Sequence, residues 1–424
     1  MKIMVVADRH VKSSRDKLGA YYLAHNKIVE TAKARGVVAV FDAGDSRVDC
    51  GASRYADACE MNSLILPLAK AGIGYYCIDG NHDRPGAAQH EITANSWIRS
   101  LKDKDLWKNV EYYNDTALRV YEFGGQKLQV IPLPYPPRHM FAAGKDLKTK
   151  QELDAAASEY IQAQLKAEEK KINVHLPTLI LFHGTVDSQR LKTAGEARMP
   201  AGHDVNIPIN AFPALKNVAV ACGHIHMYQV LSETTPLVFY TGPLVPQEFD
   251  HEDLDTGVVI LEFEAVAAGA IKHEFVPIQT VAYKTITIDL AANKNLDFEA
   301  EQKAGMPFVG NYVKDRIADP ERTMLKFVIK AVDGQMVDKG AVRDALEAAG
   351  FNEPRIMVEL PEAPAVKDME KQIHDEIGSN AAGNLEAFVK EHPETMVILE
   401  EVGAGLQELT DAAAVIETEV FHEV

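Results

Sequence analysis

The stretch IGYYCIDGNHD, residues 73–83, decides the fold class of this chain. Its first half is a short apolar run with two tyrosines, which is typical of a strand that is covered on both faces. Its second half is a turn that carries an amide, an imidazole and carboxylates. A buried strand that ends in such groups is the pattern of an α/β protein whose chemistry lies at the carboxyl ends of its strands.

Four other apolar runs end in the same types of residue. These runs end in Asp8-Arg9-His10, Gly44-Asp45, His183-Gly184 and Gly223-His224-Ile225-His226. Any one of these motifs alone would most often be a turn or a cap, but five of them in one chain predict a shared site. Carboxylate, amide and imidazole ligands together suit Mn, Fe or Zn, whereas oxygen ligands alone suit Mg or Ca. One carboxylate can bridge two such ions at about 3.5–4 Å.

The alternation of strands and helices divides the chain into four parts. Residues 1–280 form a layered α/β domain, and residues 281–360 form a second, smaller α/β unit. Residues 361–383 are polar, and their apolar residues do not recur at a helix or strand period, which is typical of a linker. Residues 384–424 have helical spacing on an acidic background. The strands of the first domain are predicted at 2–7, 37–43, 73–78, 127–133, 178–182, 218–222, 237–241 and 257–263, and its helices at 20–35, 53–71, 88–102 and 151–172.

The composition is that of a globular protein without a membrane span. Hydrophobic residues make up 46% of the chain and charged residues 25%, which excludes disorder and a coiled-coil rod. No apolar run reaches the ~18 residues that a span needs, and no signal peptide is seen, so we expect a cytoplasmic protein. The net charge is −18, but residues 1–54 are basic on balance. An anionic substrate should therefore approach the N-terminal part.

The five motifs in this order resemble the calcineurin-like metallophosphoesterase superfamily, whose signature is DxH, GD, GNH[DE], H and GHxH. Within it, residues 1–280 look most like the SbcD-type nuclease, the bacterial and phage counterpart of the meiotic recombination eleven nuclease of DNA repair. This finer resemblance depends on Phe239-Tyr240-Thr241-Gly242-Pro243, Glu248-Phe249-Asp250 and Gly257-Val258-Val259. It implies a layered β-sandwich flanked by helices, with a DNA-binding capping domain at 281–360 and an ATPase-binding helical region at 384–424.

The resemblance also implies a role for each residue of the five motifs. Two Mn²⁺ ions are expected, with Mg²⁺ able to substitute. One ion would be held by Asp8, His10, Asp45 and His226. The other would be held by Asp45, Asn81, His183 and His224. Asp45 is then the bridge, His82 acts on the scissile phosphate, and Asp83 orients a ring.

The function implied is that of a Mn-dependent 3′–5′ DNA exonuclease and endonuclease subunit. Its expected partners are DNA, an SbcC-type SMC-like ATPase and a second copy of the chain, paired through the helices at 53–71 and 88–102. A phage-encoded member would act in the cytoplasm of its host. The alternatives are a phosphatase or cyclic-nucleotide phosphodiesterase of the same superfamily, and a scaffold without metals.

Several positions depart from the pattern of the nuclease family. Arg9 replaces a bulky apolar residue, Val11-Lys12 replaces Leu-Gly, Val48 lies where Asp is usual, and Pro243 lies where Ser is usual. These departures leave the seven ligand positions intact. Among the remaining histidines, His25, His90 and His175 are predicted to be surface or half-buried residues without a metal, and His139 is a candidate for a substrate contact.

Overall fold

The computed structural model describes residues 1–11, 19–47, 59–84, 93–101, 105–142, 144–147, 149–192, 205–233, 235–263, 271–293, 298–332 and 336–360. It divides the chain into two compact units. The first consists of Met1–Ile288, Asn293–Ile329 and Asp338–Met357. The second consists of Asp289–Ala292, Lys330–Val337 and Val358–Val424. The predicted linker at 361–383 and the predicted tail at 384–424 lie outside the described residues, and the division at residue 280 stays a prediction.

The described strands are numbered β1 to β17 in chain order. They span Lys2–Val6, Ala39–Asp42, Gly74–Ile78, Val110–Tyr113, Arg119–Phe123, Gln126–Leu133, Thr178–His183, Thr185–Asp187, Asn206–Pro208, Val218–Gly223, Gln229–Glu233, Leu237–Tyr240, Gly257–Phe263, Ile271–Pro277, Ala282–Asp289, Thr323–Lys330 and Arg355–Glu359. The α-helices α1 to α7 span Ala20–Arg35, Leu66–Lys70, Arg138–Ala142, Lys150–Glu169, Phe298–Lys303, Pro307–Lys314 and Lys339–Ala348. A π-helical turn, Met61–Ile65, precedes α2, and 3₁₀ turns span Ser96–Leu101, Asp105–Trp107, Ile209–Ala211, Phe249–His251 and Pro320–Arg322.

Two six-stranded sheets form the main layers. Their strand orders are β14-β13-β1-β2-β3-β4 and β11-β12-β10-β7-β6-β5. In the first sheet β1 to β4 are parallel, and in the second β6, β7, β10 and β12 are parallel. One core cluster contains inward residues of both sheets, such as Val5, Phe41, Leu181 and Phe239, all of which are fully buried. The carboxyl ends of the parallel strands therefore form one edge in each sheet.

Helices cover the outer faces of the sheets. Helix α1 ends where Gly36 takes a left-handed conformation, and it packs on the first sheet through residues such as Ile28. Helix α4 begins with a capping box between Thr149 and Glu152, and it packs Ile161 and Leu165 on the second sheet. The predicted layered α/β sandwich flanked by helices is confirmed.

The structure also contains elements that the sequence pattern did not indicate. Strands β4, β5, β11 and β14 lie at or beside the edges of the two large sheets, and β5 and β14 alternate between half-buried and exposed residues. The smaller unit predicted after residue 280 is a three-stranded sheet of order β15-β16-β17, with helices α5 and α6 added to the predicted helix α7.

The apolar stripe on which the dimer prediction depends faces the interior of the chain. Leu64, Ile65, Leu68 and Ile98 are fully buried in the core beside α1. Met61, Trp97 and Leu101 are only partly buried there. The first part of the predicted helix at 53–71 lies outside the described residues. Self-association stays a prediction, and it must use other side chains than the four buried ones.

No helix in the described ranges is long and apolar enough to cross a membrane. Cys59, Cys77 and Cys222 are buried, and no disulfide joins these three described cysteines.

Candidate metal centre

The strand order explains why distant motifs meet. Strands β1, β2 and β3 are neighbours in the first sheet, and the loops after them carry Asp8, Asp45 and Asn81. Strands β7 and β10 are parallel neighbours in the second sheet, where Gly223 pairs with His183. Because parallel neighbours end at the same edge, each sheet presents its polar loops side by side. Hydrogen bonds across the two sheets then bring the two edges together.

The seven predicted ligands fall into two groups in space. The ligand atoms of Asp8, His10 and His226 lie within 4.8 Å of one another, and so do those of Asp45, His183 and His224. The amide oxygen of Asn81 lies 3.0 Å from His183 Nε2 and 3.2 Å from His224 Nδ1, which adds Asn81 to the second group. The second group has the same members as one set implied by the resemblance, and the first group has those of the other set except Asp45; their roles as ligands stay a prediction.

Asp45 lies between the two groups. Its Oδ2 atom is 3.6 Å from His10 Nε2 in the first group and 3.2 Å from His183 Nε2 in the second. Its Oδ1 atom accepts a hydrogen bond from the backbone N–H of His82 at 2.9 Å. The carboxylate is thus held by the GNHD loop and presents one oxygen to both groups, which is the position that a bridging ligand requires.

Four of these residues have a strained backbone. Asp8, His10, Asp45 and His224 have φ values of 49°, 46°, 55° and 96°, in the left-handed region that residues with a Cβ rarely adopt. Such a conformation costs about 1–3 kcal/mol and persists only where the surroundings impose it. Its concentration at the predicted ligands indicates that the loops are shaped for the site at the expense of local stability.

Close backbone contact at Gly80 explains the glycine of the GNHD loop. A Cβ atom built on Gly80 would lie 2.0 Å from Asp45 Oδ1. Gly44 has a φ of +98°, and a Cβ atom there would lie 2.6 Å from His183 Nδ1. Any side chain at either position would displace a predicted ligand.

The donor set fits a pair of divalent cations. Asp8 Oδ2 is buried and has no hydrogen-bond partner, whereas Asp8 Oδ1 accepts the backbone N–H of His224 at 2.7 Å. His10 Nε2 and His226 Nε2 lie 3.0 Å apart. Buried polar atoms are rarely left unpartnered, and two facing imidazole nitrogens need a proton or a cation between them. Metal ions would satisfy all three atoms.

The electrostatics of the second group also favour a cation. His183 Nδ1 lies 2.8 Å from the carbonyl oxygen of Ala43, so the ring donates there and turns Nε2 toward Asp45 and Asn81. Burial acts to lower the pKa of His183, but the carboxylates of Asp45 and Asp8, with the hydrogen bond to Ala43, together outweigh it and raise the pKa to about 10. Burial raises the pKa of Asp8 to about 7, although His183 acts to lower it. The site therefore attracts positive charge.

His82 borders the first group. Its ring centroid lies 4.9 Å from that of His10, and the ligand atoms of His10, Asp45 and His82 also lie within 4.8 Å of one another. His82 is only partly buried, unlike His10 and Asp45. Its position suits a contact with a substrate phosphate, as the sequence predicts, and geometry alone would also permit it to bind a metal.

Asp83 connects loops in this structure. Its two oxygens accept backbone hydrogen bonds from Ser46, Arg47 and Gly80 at 2.9–3.2 Å, and Oδ1 also accepts the hydroxyl of Ser46 at 2.6 Å. The predicted contact with a histidine ring is not among them. Burial raises the pKa of Asp83 to about 7, with Asp45 and Asp79 adding to the effect. Asp83 thus ties the GNHD loop to the loop of Asp45.

One residue beside the site was not singled out from the sequence. His251 is buried, and its ring lies edge to face on His226 with a centroid distance of 5.3 Å. Its Nδ1 atom accepts the backbone N–H of Gln247 at 3.2 Å. The motif Glu248-Phe249-Asp250 directly precedes it in the chain and could have pointed to it. Residues 85–92 and 193–204 and the side chain of His139 lie outside the described part of the chain.

A buried charge cluster lies behind the loops of Asp8 and Asp45. Arg9 is fully buried, and its guanidinium contacts Asp42 at 2.8 Å, Glu60 at 2.6 Å, the hydroxyl of Tyr75 at 2.9 Å and His25 Nε2 at 3.3 Å. Burial acts to raise the pKa of Glu60, but the positive charges of Arg9 and Arg47 together outweigh it and hold the pKa at about 2. The departure from the family pattern at Arg9 is therefore accompanied by a full set of polar partners.

His25 is a fully buried member of this cluster, whereas the sequence predicted a surface or half-buried residue. Its Nδ1 atom lies 2.8 Å from the hydroxyl of Ser63, which itself donates to the carbonyl of Cys59. The Nδ1–H therefore donates to Ser63, and Nε2 accepts from Arg9. Burial lowers the pKa of His25 to about 3, with the positive charge of Arg9 acting in the same direction.

This neutral histidine should make the free energy of unfolding depend on pH. Because the folded pKa is depressed from an unfolded value of about 6.5, the stability it contributes is fully present above pH 6.5 and is lost as the pH falls toward 3. As the pH falls from 6.5 to 5, the free energy of unfolding of the metal-free wild type should decrease by about 2 kcal/mol more than that of the variant His25→Gln. Urea unfolding in chelator measures this difference. The exposed His175→Gln is the matched control, and equal pH slopes in His25→Gln and wild type would contradict the assignment.

The chain belongs to the calcineurin-like phosphoesterase superfamily. The family model described as "Calcineurin-like phosphoesterase superfamily domain" matches residues 1–265, which contain all five motifs. Membership indicates a metal-dependent phosphoester hydrolase, and the Asp, Asn and His groups described above supply side chains that could bind the metals.

Solved structures with a similar fold have low sequence identity to this chain. GAP50, an anchor in the inner membrane complex of Plasmodium, is 11% identical with a TM-score of 0.36, over 65% of this chain and 84% of that chain. A dimetal phosphatase from Danio rerio is 13% identical with a TM-score of 0.35, over 62% of this chain and 92% of that chain. Phosphopantetheinyl hydrolase from Mycobacterium tuberculosis is 12% identical with a TM-score of 0.34, over 57% of this chain and 89% of that chain. No curated protein matches the chain.

Proposed function

We propose that the protein is a Mn-dependent DNA nuclease of the SbcD type, with 3′–5′ exonuclease and endonuclease activity. The observation that carries the phosphodiester chemistry is the position of Asp45, whose Oδ2 faces an imidazole of each ligand group. The preference for DNA is supported by the motifs after strand β12 and by the α/β unit after residue 280, which extends beyond the matched family domain.

In this proposal seven side chains bind metal ions, His82 contacts the substrate phosphate and Asp83 positions a loop. Asp8, His10, Asp45 and His226 would hold one metal ion, and Asp45, Asn81, His183 and His224 the other. Ions held there would supply positive charge to stabilise the attacking and leaving oxygens of an in-line displacement at phosphorus. His82 holds a proton or a positive charge beside the scissile phosphate, and Asp83 keeps the loop of His82 fixed against that of Asp45.

The experiment that tests this proposal compares substrates under three metal conditions. Purified protein is incubated with linear duplex DNA, single-stranded DNA, a cyclic nucleotide and an aryl phosphate monoester, in Mn²⁺, in Mg²⁺ and in chelator. We expect DNA cleavage in Mn²⁺ and none in chelator. Cleavage of the monoester or the cyclic nucleotide without cleavage of DNA would replace the nuclease proposal with the phosphatase or phosphodiesterase alternative.

The proposed partners are an SbcC-type ATPase and a second copy of the chain. The acidic residues 384–424 would dock on the ATPase, whose own surface would supply the DNA affinity that a chain of net charge −18 lacks.

Truncation after residue 380 tests this docking. It should leave Mn-dependent cleavage of short single strands nearly unchanged, because the described site lies within residues 8–251. The same truncation should abolish ATP-stimulated cleavage of long duplex ends and co-purification with the ATPase. Full-strength co-purification of the truncated chain would show that the docking region lies elsewhere.

A further inference from the structure

The two loops that carry Asp8, His10 and Asp45 are joined by backbone hydrogen bonds on the side of the site. The N–H groups of Asp8, His10 and Val11 donate to the carbonyls of Gly44, Asp45 and Ser46, each at 3.0 Å. The parallel pairing of β1 and β2 therefore continues past the ends of the strands, and Val11 pairs with Arg47. Three non-glycine residues in these loops have a positive φ, so the pairing must hold a strained backbone in place.

A second set of contacts joins the same loops from behind. Arg9 lies between Asp8 and His10, and Arg47 lies two residues after Asp45. One oxygen of Glu60 contacts Arg9 at 2.6 Å, and its other oxygen contacts Arg47 at 3.4 Å. Glu60 thus bridges an arginine from each ligand loop. Asp42 adds a further link, because its Oδ2 contacts Arg9 at 2.8 Å and its Oδ1 accepts the N–H of Gly44 at 3.1 Å.

The cluster is balanced and closed to solvent. Arg9, Arg47, Asp42 and Glu60 carry two positive and two negative charges, and none of these side chains is more than 4% exposed. A buried ion cluster is poor evidence of added stability, because desolvation offsets much of the attraction. What such a cluster does provide is geometry, since the planar guanidinium fixes the direction of each of its partners.

We propose that Arg9, Glu60 and Arg47 form a clamp that sets the distance between the Asp8–His10 loop and Asp45. The clamp is a positioning device, because none of its three side chains is a predicted ligand. Arg9 and Arg47 lie on the loops that bear the predicted ligands, and Glu60 joins the two arginines. It deepens the metal site on which the proposed nuclease function rests. It also explains Arg9, since an apolar residue at this position could not bind Asp42 and Glu60 at once.

Metal binding tests the clamp without any substrate. Arg9→Lys keeps the positive charge but loses the planar guanidinium group, and Arg9→Met loses both. Glu60→Gln removes the negative charge that contacts both arginines. We expect the weaker of two Mn²⁺ sites to lose about 10–100-fold in affinity by calorimetry, the range for residues that orient metal ligands. At Mn²⁺ concentrations that saturate the wild type, the wild type should give the exchange-coupled electron paramagnetic resonance signal of a Mn²⁺ pair. The three variants should instead give the signal of isolated Mn²⁺ ions.

Two controls separate the clamp from a general loss of stability. Arg35→Lys alters an exposed arginine that pairs with Glu274 at the surface. Leu165→Ala opens the core under helix α4, within the cluster on the outer face of the second sheet. Neither should change Mn²⁺ affinity or the coupled signal, even where Leu165→Ala lowers the melting temperature as much as the clamp variants do.

The outcomes are distinguishable from those of the nuclease test. If folded Arg9→Lys and Glu60→Gln bind Mn²⁺ with wild-type affinity and give the exchange-coupled Mn²⁺ signal, the clamp is overturned and the nuclease proposal is unaffected. Failure of metal-loaded wild type to cleave DNA would overturn the nuclease and leave the clamp. If the variants of Arg9 and Glu60 do not fold, Arg47→Lys weakens the other end of the clamp and leaves the contacts of Arg9 with Asp42 and Glu60 in place. Unchanged Mn²⁺ affinity in that variant would then overturn the clamp.

Discussion

Replacing Asp45 with asparagine should lower the rate of phosphodiester hydrolysis by about 10³-fold or more, exceeding the roughly 10²–10³-fold effect of one lost charge-stabilising donor. Its Oδ2 faces His10 and His183 at once, so the substitution removes negative charge from both groups. Burial acts to raise the pKa of Asp45, but His183 outweighs it and keeps the pKa below its usual range. Asparagine keeps the shape but cannot supply this charge. Single-turnover cleavage of a labelled DNA strand in Mn²⁺ measures the effect.

The matched control for Asp45→Asn is Asp187→Asn, which changes an exposed carboxylate on strand β8. We expect it to cleave DNA at the wild-type rate. Circular dichroism should show that Asp45→Asn is folded, since Asp45 Oδ1 has one backbone partner whose hydrogen bond an amide oxygen can still accept. Activity within tenfold of wild type in folded Asp45→Asn would contradict a bridging role.

Replacing His82 with asparagine should lower the rate by about 10²–10⁴-fold, the usual contribution of a positioned general acid or base. In contrast to Asp45→Asn, this variant should bind as much Mn²⁺ as the wild type. The reason is its position, because His82 lies at the border of the first group and is less buried than the predicted ligands. Rate measurements paired with elemental analysis of the metal-loaded variant give both quantities.

His175→Asn is the control for this substitution, because His175 is exposed and lies outside the site. Its rate and metal content should equal those of the wild type. Loss of one Mn²⁺ per chain in His82→Asn would place His82 among the ligands, as the proximity of His10, Asp45 and His82 allows.

The sequence predicted which residues lie close together, because each motif is local to the end of one strand; the roles of these residues stay a prediction. Each motif follows an apolar run, and a buried strand with a polar end is visible without any knowledge of its neighbours. The chain order of the motifs then limited the folds that could bring them together. The parallel neighbours β1, β2 and β3, and β7 with β10, place those ends where the motifs predicted.

The contacts behind the site could not be predicted in the same way. Arg9 was only a departure from a family pattern, because its partners Asp42, Glu60 and Tyr75 lie 33, 51 and 66 residues away. His25 on helix α1 looked like a surface or half-buried residue for the same reason. Asp83 was assigned to a ring, whereas the turn of the GNHD loop directs it to the backbone of the neighbouring loop.

Edge strands were missed for a different physical reason. Strand β5 alternates between half-buried and exposed residues, but its sequence RVYEF lacks the alternation of polar and apolar residues that marks such a strand. The helix predicted at 53–71 raises a separate question, because its apolar stripe was predicted to pair with a second subunit. A core-facing stripe and an interface-facing stripe have the same period, and only the packing of Leu64, Ile65 and Leu68 beside α1 separates them.

Anomalous diffraction at the manganese edge, from crystals grown in excess Mn²⁺, tests the two-metal site most directly. The arrangement of Asp45 between two imidazole groups predicts two peaks per chain, about 3.5–4 Å apart, with the Asp45 carboxylate between them. A single peak, or two peaks of which neither lies beside Asp45, would contradict it.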